Sequence, residues 1–195
     1  MGRAIRGMAA ASGLAVALAV TAARAQDEEQ TETPPPAAAE TPAPAEPPRV
    51  VNGARFGAWT VACEALAVNE TTCVLSQRLV RSADNTFLAE LVAFWSADLS
   101  SGFIAARVPN GVYFPSGFAM RPENSEERHD FVWQSCSRDI CEALLAADAD
   151  TMQSIDDAGQ AIIGYRPSIQ AEPLVFRAGT NGVVEGLNAL KQALR

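Results

Sequence analysis

Four cysteines limit what this chain can fold into more than any other feature: Cys63, Cys73, Cys136 and Cys141. They form two close pairs well inside the chain. Their chemistry depends on the compartment. In a reducing cytosol such pairs suggest metal binding or redox work, whereas outside it an even count suggests disulfides. The N-terminus decides which argument applies.

Arg3 and Arg6 lie in a short basic stretch without an acid, and an apolar run follows from Met8 to Val20. Small residues close it, with Ala23 and Ala25 in a small-x-small pattern. A basic start, an apolar middle and such an end make a secretory signal, cut before Gln26. The run is about 13 residues long, too short for a hydrocarbon core that needs roughly 20. No Cys lies near the cut to carry a lipid. Residues 1–25 therefore read as a removed signal peptide, and no later stretch is apolar for long enough to span a bilayer.

Export makes two disulfides the expected state of the four Cys. Three pairings are open. The local one, Cys63–Cys73 with Cys136–Cys141, is preferred because each bond would close a short hairpin, where Cα separations suit a disulfide. A redox pair would be Cys-x-x-Cys at a helix N-terminus. A zinc site would set two tight pairs against each other. Both rivals fit the spacing less well.

Residues 26–49 hold seven of the twelve Pro, six acids and no aromatic or large aliphatic residue. Such a segment cannot bury enough apolar surface to offset its ordering entropy. It is expected to be an extended linker or solubilising tail, reaching up to about 75 Å at roughly 3.1 Å per residue. Residues 50–195 are then the folded unit, of ordinary single-domain size. After cleavage the chain has 12 basic and 23 acidic side chains, a formal charge of −11. That surface repels phosphates and anionic lipid headgroups, so neither nucleic acid nor membrane is an expected partner.

The domain reads as strands. Phe56 to Cys63 is the first, Thr72 to Val80 the second, and Val61 and Cys63 would face Leu75 and Cys73. Phe87 to Ser96 also fits a helical stripe, but its aromatic content favours a strand. Gly102 to Val108 and Val112 to Met120 follow, joined by a tight turn at Pro109-Asn110-Gly111. Phe131 to Cys136 and Cys141 to Ala147 form another hairpin. Asp150 to Gln153 resembles a capping box opening a short helix that stops before Gly159. Strands return at Gln160 to Ile169 and Glu172 to Ala178. Val184, Leu187, Leu190 and Leu194 then fall at helical spacing in an amphipathic C-terminal helix. The class is all-β, best drawn as a β-sandwich with a short helix and that terminal one.

Chemistry is hard to find. His129 is the one imidazole available to a nucleophile, and it sits in a charged stretch that reads as a solvated loop. Adjacent acids such as Glu126-Glu127 and Asp156-Asp157 read as solvated faces. No calcium loop, phosphate loop or dinucleotide fingerprint occurs, so no metal, cofactor or enzymatic activity is expected. Trp59, Trp95 and Trp133 suit core packing.

Several motifs together carry a family resemblance. They begin with Phe56-Gly57-x-Trp59-x-x-x-Cys63-Glu64 and Cys73-x-Leu75-x-Gln77. Val108-Pro109-x-Gly111-Val112-x-x-Pro115-x-Gly117-Phe118 follows, then Cys136-x4-Cys141 and Asp157-Ala158-Gly159-Gln160. Over residues 55–192 the chain resembles the invasion-associated locus B family of alphaproteobacterial exported proteins. The resemblance implies an immunoglobulin-like β-sandwich in the periplasm or at the outer surface, the two local disulfides, and no known enzymatic activity. Asn110, Tyr113 and Phe114 depart from it, standing where the family tends to be aliphatic, and the acidic proline-rich linker is not a core family feature.

Two functions stay open. One is an accessory binding protein that contacts another envelope protein or a surface polymer, with Tyr113 and Phe114 as the contact beside the turn. The other is a periplasmic carrier of a small molecule in a cavity between the sheets.

Overall fold

Hydrogen bonds run without a break through ten antiparallel strands in the computed structural model, which describes residues 50–193. The expected signal peptide and linker lie outside the described residues. The strands are β1 (Arg55–Phe56), β2 (Trp59–Ala67), β3 (Glu70–Val80), β4 (Phe87–Trp95) and β5 (Gly102–Pro109), then β6 (Phe118–Pro122), β7 (His129–Ser137), β8 (Ile140–Ala147), β9 (Gln160–Tyr165) and β10 (Leu174–Gly179). Their spatial order is β1-β2-β3-β4-β5-β8-β7-β6-β9-β10. Helix α1 (Ala149–Asp157) links β8 to β9, and α2 (Val183–Ala193) follows β10.

The all-β class with two helices holds. One ladder runs through β7, whose start pairs with β6 at Phe131↔Phe118 and whose end pairs with β8 at Cys136↔Cys141. The ladder curls. The Tyr165 hydroxyl on β9 donates to the Leu88 carbonyl on β4 at 2.9 Å, and Phe118, Ile163 and Tyr165 share one core with Leu75, Leu91 and Ile104. At the opposite end, Ala58 N donates to Asn181 O at 3.1 Å and Trp59 Nε1 to Thr180 O at 3.2 Å. The turn after β10 thereby meets the β1–β2 turn. Backbones come close enough there that a Cβ on Gly182, at φ +89°, would overlap the Phe56 carbonyl.

Three sequence expectations need correction. Phe56 to Cys63 is not one strand, because Gly57 turns the chain at φ +55° between β1 and β2. Val112 to Met120 is not the return arm of a hairpin: β5 pairs with β4 and β8, and the chain crosses over to start β6 at Phe118. Helix α1 starts earlier than the capping-box pattern at Asp150 implies, since Asp148 is its cap, accepting from Thr151 N at 2.8 Å. The ambiguous Phe87 run is strand β4. It looks helical because both of its faces are apolar: Leu91 and Ala93 join the core, while Val92 and Phe94 pair with Ala105 and Phe103 on the other face.

Candidate functional site

The register of β2 on β3 places Val61 opposite Leu75 and Cys63 opposite Cys73. The Cys63 and Cys73 sulfurs are 2.12 Å apart, and those of Cys136 and Cys141, across the β7–β8 turn, 1.95 Å. The second pair stiffens the turn on which the next segment rests. Asn110 N donates to Asp139 O at 2.8 Å, and Asn110 Nδ2 to Arg138 O at 2.7 Å. Pro109-Asn110-Gly111 thus anchors a crossover to the β7–β8 turn. Three residues on, Tyr113 N donates to Arg166 O at 3.0 Å beyond the end of β9.

Held at both ends, the chain makes one 3-10 turn at Phe114–Ser116. Pro115 suits that turn because its missing N–H and fixed φ cost nothing at a helical start. Phe114 points outward, 49% exposed, with its ring centroid 5.3 Å from that of Trp133. Trp133 meets Phe118 edge-on at 6.4 Å, and Phe118 stacks on Tyr165 at 5.8 Å. An aromatic file therefore runs from the surface into the core. Tyr113 is half-buried, with the Arg166 guanidinium carbon 5.9 Å from its ring centre. Trp133 Nε1 and Arg166 Nε are both buried and have no hydrogen-bond acceptor within the protein. The two suggested contact residues thus divide, Phe114 outward and Tyr113 partly inward. Arg166 carries no signal in the sequence that would single it out, and Trp133 reads there as a packing residue.

The family model described as "Invasion associated locus B (IalB) protein" matches residues 59–191, more than half of the chain. The chain belongs to the IalB family. Among solved structures, the invasion associated protein B of Bartonella henselae is similar at a TM-score of 0.58 and 15% identity, over 72% of this chain and 95% of that one. At that identity the likeness concerns the fold. No curated protein matches at a significant level.

Elsewhere in this IalB-family chain, His129 is not the solvated loop residue expected. It opens β7 opposite Met120 and is 8% exposed, because the pleat turns it inward with Phe131. Its Nδ1 is 3.8 Å from Glu127 Oε1, and its Nε2 has no partner within the protein. Among the described residues no three His, Cys, Asp or Glu side chains come together as a metal site would need. Asp156 and Asp157 make internal hydrogen bonds. Asp156 accepts from Val184 N at 3.2 Å and ties α1 to α2, and Asp157 accepts from Gln153 at 2.8 Å.

Trp59 is fully buried as expected. Trp95 is only half-buried and borders a cleft of about 650 Å³. That cleft is not the cavity within the sheet that a carrier was expected to have. It opens between α1, α2 and the β4–β5 turn.

Proposed function

We propose that this chain is an exported, non-enzymatic binding protein of the bacterial envelope, working in the periplasm or at the outer surface. Its contact site is the surface around Phe114, Trp133, Tyr113 and Arg166. The observation that carries the reading is the half-exposed Phe114 ring seated on Trp133, whose indole N–H is buried with no acceptor. A large apolar side chain at a surface turn, backed by a second aromatic, is a typical anchor of a protein contact. Arg166 adds a positive charge beside the Tyr113 ring. A polypeptide suits this surface, since its apolar side chains pack on the exposed Phe114 ring.

The compartment part rests on the signal pattern of residues 1–25 and on the family's export. Two disulfides suit an oxidising space. Among the described residues no helix is long and apolar enough to cross a membrane.

A photo-crosslinking residue placed at position 114 in living cells tests the contact. A defined protein adduct is expected there, and none from position 68, where Val68 is 93% exposed on another turn. Adducts to a polysaccharide, or equal adducts at both positions, would overturn the reading of a polypeptide partner.

A further inference from the structure

The cleft beside Trp95 is separate from the Phe114 surface and stands on its own observations. Its apolar lining includes Trp95, Gly102, Met152 and Leu187, with Asp148 and Lys191 as its charged groups. Lys191 is the only lysine in the sequence. Its Nζ lies 4.4 Å from the centre of the Trp95 ring and donates to Leu99 O at 3.0 Å. The indole is fixed in turn, because Trp95 Nε1 donates to Leu187 O on α2 at 2.7 Å. Gly102 leaves the two apolar groups in place. A Cβ there would come 3.1 Å from Met152 Cε and 3.9 Å from Trp95 Cζ3.

An ammonium group has three N–H donors. Leu99 O takes one, and among the described residues no carboxylate lies within ion-pairing distance of Lys191. A cation stacked on an aromatic face, with donors to spare over an apolar floor, suits an anionic head on an apolar body. Asp148 limits the charge of that head. Its carboxylate accepts from Thr151 N, which holds its pKa below the ordinary value, so it is ionised at neutral pH. Its negative charge on the cleft wall disfavours a dianion.

We propose that this cleft is a binding site for a small monocarboxylate with a flat apolar body, its carboxylate on Lys191 and its body against Trp95 and Met152. A purely structural Lys191, present only to complement the C-terminal dipole of α2, would show no preference for carboxylate over amide.

The test uses the mature chain, residues 26–195, labelled so that each of its three indole N–H groups gives a separate NMR signal. Phenylacetate is the probe and phenylacetamide its neutral counterpart. Phenylacetate should shift the Trp95 signal saturably and leave that of Trp133 unmoved. The amide should bind about tenfold more weakly, the scale of one charge-assisted hydrogen bond. Lys191→Gln should abolish the preference, and Lys191→Arg should keep most of it, with both variants retaining a dispersed spectrum. No saturable shift, equal binding of acid and amide, or a preference that survives Lys191→Gln would each overturn the proposal. Phe114→Ser should leave phenylacetate binding unchanged, so failure of one site is told apart from failure of the other.

Discussion

The cysteine pairs are legible at the scale of single residues because spacing and strand pattern both bear on them. Non-reducing peptide maps of the protein isolated from its native compartment should recover Cys63–Cys73 and Cys136–Cys141, whereas crossed peptides would contradict the structure. Replacing either pair should cost about 2–5 kcal/mol, read as a shift in denaturant midpoint. Tyr165 carries a pH prediction. Burial pushes its phenol up to about 12 from the ordinary value of 10.0, while its hydroxyl donates to Leu88 O. The unfolded chain loses this proton near 10 and the folded chain holds it to about 12, so stability should fall as pH rises through that window. A spectrophotometric titration should show one of the two tyrosines ionising late, and Tyr165→Phe should flatten the alkaline loss. Late titration of neither tyrosine would contradict the burial. His129 is misleading at this scale, because its charged neighbours in sequence say nothing of the pleat that turns it inward.

Strand and helix types are mostly readable, and their edges are not. Alternation marks β2 and β3 down to their register, since slipping by one residue would turn Leu75 and Val61 out of the core. The segment between β5 and β6 misleads because Pro109-Asn110-Gly111 has hairpin chemistry, whereas its hydrogen bonds go to Asp139 and Arg138, remote in sequence. Only tertiary contacts could reveal that crossover. Helix α2 is readable from its apolar spacing, but its close seat is not. It rests on β3 through Gly186, where a Cβ would come 2.7 Å from Leu75 Cδ1 and 3.2 Å from Phe56 Cδ2. Gly186→Ala adds about 1 kcal/mol of helix propensity. It also overpacks a fully buried leucine, at about 1–3 kcal/mol. The variant should lose stability overall in chemical denaturation, and a gain would show that α2 has room to shift.

At the scale of the molecule, the sequence conveys the class, all-β with two helices, but not the continuity of the sheet. Sharing β7 between β6 and β8 is a matter of pairing partners, which periodicity does not encode. The candidate site is half legible: turn chemistry brings Tyr113 and Phe114 forward, while Trp133 on β7 and Arg166 just past β9 reach them from distant parts of the chain. The core ends in an aromatic file whose outermost ring, Phe114, is open to a partner. Phe114→Ser measures this most directly, with unfolding and position-specific crosslinking followed on the same variant. Because Phe114 is half exposed, the substitution should cost about 1 kcal/mol or less. Partner adducts, captured from a crosslinker at neighbouring position 113, should disappear. A loss of several kcal/mol would assign Phe114 to packing, and undiminished adducts would place the partner elsewhere; either result contradicts a contact role for this ring.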